Sequence, residues 1–324
     1  MKRREFSKCL AAAAAWRGGA GAMAAGYPER VVRIVVAWPG GGLVDIPARQ
    51  AAEHLQKALG QPVVVDNKPG AGGKLGADVV AKAPGDGYTL LVTTSAIAIN
   101  RALGMPMPFD LFKDFEPVAD LAHAPLILVA SPGLDVDSVD ALVRLAKAKP
   151  GRLSYASAGN GSPGHLAGEW FKSVAGIDAV HVPYKGAPPA MVDQVAGRVD
   201  FHFANAAVAM PQIQAGKIRA LAVASASRMK LLPGVPTMIE SGVAGFDADQ
   251  WIGMLAPRGT PAPVVDALSA QIKRAFADGA VEAAFARSGL SMADAQSPAS
   301  FTKEIRADAQ RWESIVRKTG IKAE

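Results

Sequence analysis

The chain has 324 residues, half of them hydrophobic and 20% charged, with one cysteine and a net charge of +6. A mean hydropathy of +0.15 without an unbroken apolar run of about 18 residues excludes a membrane-spanning protein, and so apolar a chain offsets its conformational entropy by burial. One cysteine excludes a disulfide scaffold and a multi-cysteine zinc site, and the length suits two domains, each with its own core.

The sequence pI of about 9.4 invites a nucleic-acid or membrane-surface reading, and the first residues account for it. Lys2, Arg3, Arg4 and Lys8 stand against Glu5, Cys9 to Trp16 is a short apolar stretch, and Ala22-Met23-Ala24 offers an A-x-A site before Tyr27-Pro28. This pattern predicts an export signal over residues 1–26, and Arg3-Arg4-Glu5-Phe6-Ser7-Lys8 fits a twin-arginine leader. Removing residues 1–24 leaves 30 basic and 28 acidic residues and takes Cys9 away. The expected mature chain is nearly neutral and has no thiol chemistry and no nucleic-acid partner. The charge reads as an address to the periplasm.

Val31 to Ala37 is too apolar for a half-exposed strand and suits a buried parallel sheet. It runs into Trp38-Pro39-Gly40-Gly41-Gly42 and a helical pattern from Asp45 to Leu59. Pro62 to Val65 predicts a second strand, Asn67 to Gly73 a loop, then a helix through Ala81, the turn Pro84 to Gly87, and a strand from Tyr88 to Thr93. After Phe115 the alternation restarts. Strands are expected at Leu126 to Ala130 and Leu153 to Ser157, with a helix from Ser138 to Lys149 between them. A Gly-rich loop leads to a helix at Pro163 to Val174, and strands follow at Ala179 to Pro183, Val199 to Phe203 and Ile218 to Ala224. A strand at Ile252 to Ala256 and two helices, Pro263 to Phe276 and Ser300 to Lys318, close the chain. This alternation predicts an α/β fold of two lobes with mostly parallel sheets, the last helices returning to pack on the first lobe. Ligands in such folds sit beyond the carboxyl ends of strands.

Two strand–loop–helix junctions stand out. In the first, Gly41 and Gly42 permit a tight turn and Asp45 is expected to cap the helix. In the second, Ser157, Gly159, Asn160, Gly161 and Ser162 precede Pro163, with Ser162 as N-cap and Pro163 as first helical residue. Such helix starts present free N–H groups and partial positive charge, which suit a carboxylate or phosphate. Thr94 and Ser95, Lys185, and Trp38 as an apolar wall add candidate contacts. The competing reading is an α/β enzyme, either a nucleotide-dependent oxidoreductase or a serine hydrolase. Gly159 to Gly164 spells G-x-G-x-x-G, but the acid about 20 residues on, Asp178, precedes the next strand instead of ending it. Asn160 breaks a nucleophile elbow at Ser162. The five histidines include no close helical pair, so neither a metal site nor a catalytic triad is expected, and His165 reads as a support for its loop.

The order of Trp38-Pro39-Gly40-Gly41-Gly42 with Asp45, Gly60 to Val65, Asn67 to Gly73, Gly85 to Leu91, Ala156 to Ser162 with His165 to Glu169, Val182 to Gly186, Ala215 to Val223 and Leu255 to Pro261 resembles the Bug-type, TctC-like solute receptors. These are the substrate-binding proteins of tripartite tricarboxylate transporters. The resemblance implies a two-lobed periplasmic binding protein fold of type II that closes over a small carboxylate without catalysis or cofactor. It implies one lobe over 27–128 plus 252–324 and a second over 129–251. It places one carboxylate on the Pro39 to Asp45 loop, and the Ser157 to His165 loop with Tyr184, Lys185 and Gly186 opposite. Val44 replaces a threonine common in the family, so the first loop is expected to rely on backbone N–H groups. Ala204 replaces an aspartate often found before the asparagine that is Asn205 here, a change that disfavours an amino-acid ligand. The implied partners are membrane components of a transporter, or a sensor protein, for a monomeric receptor.

Overall fold

The computed structural model describes residues 26–293 and 297–321; the expected leader, Gly26 apart, lies outside the described residues. The first sheet begins with β1 (Val32–Val36), a β-branched run buried on both faces. Helix α1 (Asp45–Leu59) connects it to β2 (Val63–Asn67), and α2 (Lys74–Ala81) leads to β3 (Thr89–Thr94). Strands β2 and β3 flank β1, both parallel to it. Helix α3 (Ala96–Ala102) follows β3 directly, ahead of β4 (Phe115–His123).

The chain then crosses to a second sheet through Ala124 and Pro125. Here β5 (Leu126–Ala130), α4 (Val139–Ala148), β6 (Leu153–Ser157), α5 (Pro163–Ala175), β7 (Ala179–Pro183), α6 (Ala187–Val195), β8 (Phe201–Asn205), α7 (Ala206–Gln214) and β9 (Arg219–Val223) follow in order. A long segment returns the chain to the first sheet as β10 (Trp251–Pro257), followed by α8 (Ala262–Phe276), α9 (Gly279–Arg287), β11 (Ser291–Met292) and α10 (Pro298–Thr319).

The sheet orders are β11-β4-β10-β3-β1-β2 and β7-β6-β8-β5-β9. In the first, β10 runs against β3 and β4; in the second, β5 runs against β8 and β9. Each sheet therefore has three adjacent parallel strands and a reversed strand that follows a crossing; in the first sheet the two-residue β11 also runs against β4. The crossings lie side by side, with Ala124 N–H donating to Gln250 O at 2.8 Å.

One core lies between the first sheet, α1 and α8. Another, rich in aromatics, gathers Tyr155, Phe171, Phe201, Phe203 and Phe246 in the second lobe. The last helix differs from expectation. Its Phe301, Ile305 and Ala309 pack in the first lobe, while Trp312 and Ile315 belong to the second-lobe core, so α10 serves both.

Strand β4 is absent from the sequence reading, because Glu116, Pro117 and Asp120 interrupt its apolar pattern. Helices α6, α7 and α9 were also not anticipated; Pro188, Pro189 and Pro211 obscure the first two. No helix among the described residues is long and apolar enough to cross a membrane.

Candidate functional site

In both sheets the strand that comes first among its parallel neighbours sits between the other two: β1 between β2 and β3, β6 between β7 and β8. Successive connections therefore leave β1 and β6 in opposite directions, which opens a crevice at their carboxyl ends. The loops at those ends are Ala37 to Val44 and Ala158 to Ser162, the two Gly-rich junctions. Most other candidate residues occupy the same ends: Thr94 and Ser95 at the end of β3, Tyr184 to Gly186 after β7, and Asn205 at the end of β8. The second loop reaches across to the first lobe, since a Cβ built on Gly161 would stand 3.3 Å from Leu103 Cδ1 at the end of α3.

Asp45 does not cap α1. The helix begins at Asp45 itself, behind Val44 in helical conformation with no side-chain cap. The Asp45 carboxylate turns back instead, accepting from Gly41 N–H at 2.8 Å and Arg49 Nε at 2.7 Å on one oxygen and from Asn67 Nδ2 at 2.9 Å on the other. Asn67 also donates to Trp38 O at 3.0 Å. Burial acts to raise the Asp45 pKa, but Arg49 and the Gly41 and Asn67 donors outweigh it and hold the carboxyl below its ordinary range. Asp45 is thus the brace of the first loop, and its anion offsets part of the helix dipole. Gly41 N–H is consumed by it; the amides of Gly42 and Leu43 have no acceptor among the described residues. Trp38 is half-buried, with its Nε1 enclosed and without a hydrogen-bond partner. That indole nitrogen lies beside the left-handed turn at Gly73, as does Thr93 Oγ1. Asn100 closes this corner, donating to Gly72 O at 3.1 Å.

The second loop is tied down by its own side chains. Ser162 caps α5, its Oγ accepting from His165 N–H at 3.3 Å, with Pro163 first in the helix as expected. His165 Nδ1 accepts from Gly161 N–H at 3.1 Å, which assigns its ring proton to Nε2. Ser157, fully buried, bonds Gly159 N–H and His181 Nε2 at 3.1 and 2.7 Å. His181 stacks on His165 with ring centres 4.1 Å apart, and burial followed by the neighbouring His165 pulls its pKa down to about 4. Gly159 and Gly161 have φ of 124° and 73°, conformations that favour glycine. The amides of Gly159, Gly161 and Ser162 are all used inside the loop. This corrects the expectation of free N–H groups at Gly159, Gly161 and Ser162.

The turn after β7 rests on this loop, with Tyr184 N–H on Ser157 O and Gly186 N–H on Ala158 O, at 3.1 and 3.2 Å. Tyr184 OH donates to Asp193 at 2.7 Å, and burial with that carboxylate pushes the phenol to about 12. Lys185 is exposed at the rim. Two candidates are tied to the second crossing instead: buried Ser95 donates its N–H to Trp251 O at 3.1 Å, and Asn205 Oδ1 accepts from Gln250 Nε2 at 3.4 Å. Thr94 Oγ1 is used locally, accepting from Ala96 N–H at 3.2 Å at the start of α3. Asn67, Asn100, Leu103 and His181 were not anticipated as parts of the site; all but Leu103 act through the conformation of a glycine loop, and Asn67 opens a motif already read as a loop.

The motifs of the competing enzyme reading fare differently. Asp178 lies at the other end of β7, where Gly151 N–H donates to its carbonyl, far from the Gly159 to Gly164 loop along the strand. The Ser162 oxygen accepts from the His165 backbone N–H, and His165 Nδ1 accepts from Gly161 N–H.

A family model described as the tripartite tricarboxylate transporter family receptor matches residues 47–321. The protein BugT of Bordetella pertussis is 40% identical over 298 residues, 91% of this chain and 91% of its own. Among solved structures, R. palustris Rpa4515 with adipate superposes with a TM-score of 0.80 at 35% identity, covering 91% of this chain and 99% of that one. MatC from Rhodopseudomonas palustris with bound malate gives 0.76 at 32% identity, covering 90% and 100%.

Proposed function

The chain belongs to the tripartite tricarboxylate transporter receptor family, and from that premise we propose that it is a periplasmic solute-binding protein for a small organic carboxylate. The observation that carries this reading is the pair of braced Gly-rich loops at the two sheet switch points, drawn together across one crevice. The Gly42 and Leu43 amides supply donors from one side and the Ser162 hydroxyl, next to Asn160, supplies one from the other. Trp38 and Leu103 offer apolar surface for the carbon skeleton, and Lys185 adds positive charge at the rim. Tyr184 and Gly186 support the second loop through their backbone. The Ser157 hydroxyl that meets His181 is fully buried and also bonded to the Gly159 backbone, so it supports the loop, which favours capture over catalysis. The proposed lobes are 27–128 with 252–324, and 129–251, and closure of one on the other buries the acid. Export by the basic leader and delivery to the membrane components of a tripartite transporter complete the reading.

Calorimetry of the mature chain against mono- and dicarboxylates, malate and adipate among them, tests it. One-to-one binding of an acid of this class is expected. Tight binding confined to sugars or inorganic cations would overturn the carboxylate assignment, and ester turnover abolished by Ser162→Ala would overturn the receptor assignment.

A further inference from the structure

We infer that Asp120, His123 and Glu304 form a binding site for a divalent transition-metal ion of the zinc class, with Asp249 orienting the histidine. One ligand atom from each of the three residues lies within 4.8 Å of the other two. His123 Nε2 stands 2.9 Å from Asp120 Oδ2 and 3.7 Å from Glu304 Oε1. His123 Nδ1 stands 2.9 Å from Asp249 Oδ2. A carboxylate at ion-pair distance from one imidazole nitrogen and two oxygen ligands facing the other approach the arrangement by which proteins orient a metal-binding histidine, and a small turn of the ring would complete the Nδ1 hydrogen bond to Asp249. Two carboxylates and an imidazole suit zinc, with a fourth position open to water. Tetrahedral zinc separates its ligand atoms by about 3.3 Å, a contraction that the half-exposed Glu304 side chain can supply by rotation.

The local backbone is shaped for this grouping. Residues three apart on a regular strand point to opposite faces. In β4, however, the register against β10 slips between Ala122 and Asp120, with Ile252 facing the former and Gly253 the latter. The bulge at Leu121 brings Asp120 and His123 to one side, the re-aiming that bulges provide. The Asp120 side chain is fully buried, and its Oδ1 has no hydrogen-bond donor. The cationic Arg228 and Lys230 of the same cavity are paired with Glu240 and Glu282 and do not occupy the group.

His123, Asp249 and Glu304 line a cavity of about 620 Å³ that also takes in Ser225, Met292 and the Arg228–Leu231 segment. None of the candidate carboxylate-site residues lines it, so the ion has its own entrance. His123 ends the strand before the first crossing, Asp249 precedes the second, and Glu304 lies on α10. The ion would tie both crossings to the helix shared by the lobes. Sequence spacing hides the group, because its members come from three separate segments.

The test is calorimetry of the chelator-treated full chain with ZnCl2 in a buffer free of carboxylates. One equivalent is expected to bind, with an upward shift in Tm, while MgCl2 and CaCl2 give weaker binding. Glu304→Gln and His123→Gln should each lower zinc affinity at least tenfold, and Asp249→Asn about ten- to a hundredfold. Cobalt(II) should give a visible absorption band that His123→Gln removes. Absence of stoichiometric zinc binding overturns the site. So does undiminished binding by a His123→Gln/Glu304→Gln double variant whose circular dichroism matches the parent.

Discussion

His202 and His181 show what burial does to an imidazole when no acid outweighs it. His202, nearly inaccessible on β8, has its pKa drawn down to about 4 by burial, and its Nδ1 has no hydrogen-bond partner. His181 reaches the same value through burial and then the stacked His165. In the unfolded chain both titrate near 6.5. Between about pH 6.5 and 4 the unfolded state therefore binds protons that the folded state refuses, and stability falls as the pH drops through that window. For fully enclosed His202 the slope is about 1.4 kcal/mol per pH unit. Urea unfolding at pH 7, 6 and 5 should show it, and His202→Leu should flatten the slope by about one proton and gain more at pH 5 than at pH 7. An unchanged slope in that variant would count against the account. In the ion-free chain His123 has the opposite sign: Asp120 and Asp249 outweigh burial and raise it to about 11, so its contribution is complete below about pH 6.5 and declines steadily from there to about pH 11.

At the scale of elements, α5 shows how the second lobe aims its loop. The helix lies so near the sheet that a Cβ on Gly164 would fall 2.7 Å from the Phe203 carbonyl oxygen. That oxygen belongs to β8, whose residue 203 pairs with Leu128 of β5, so it cannot retreat without disturbing the ladder. Gly164→Ala should gain roughly 1 kcal/mol of helix propensity and still destabilise, because overpacking typically costs about 1–3 kcal/mol. Chemical denaturation measures the balance, and carboxylate binding should weaken with it as Ser162 and His165 shift. The element pattern that places these loops was legible: hydrophobic runs marked β1, β3, β5 and β6, and the Gly, Ser and Pro of the second junction marked a helix start. Strand β4 was not, since Pro117 and two acids break its alternation and its burial comes from β10 and α10. The loop chemistry was only half legible. Glycine spacing announced the turns, but whether an amide faces a ligand or an internal acceptor depends on Asp45 and His165 folding back, which no local pattern encodes.

The whole molecule is joined by more than its two crossings. One apolar stripe of α10 runs through Phe301, Ile305, Ala309, Trp312 and Ile315, the spacing of a single helix face. Its first half packs with Trp251, whose ring meets Phe301 edge-on at 5.5 Å and whose Nε1 donates to Asp308 at 3.0 Å. Its second half enters the other lobe, where fully buried Trp312 meets the edge of Trp170 on α5 at 6.3 Å. Arg101 of α3 pairs with Glu313, which fixes the helix beside the crevice from the first-lobe side. A helix that completes both cores couples their unfolding, because neither lobe keeps its interior once α10 leaves. The unaltered chain should therefore melt in one calorimetric transition despite its two sheets. Trp312→Ala should cost about 3–5 kcal/mol and fall mainly on the second lobe, splitting the melt into an early transition and a later one. Two transitions in the unaltered chain, or one sharp transition in the variant, would show that the crossings and not α10 hold the lobes in register.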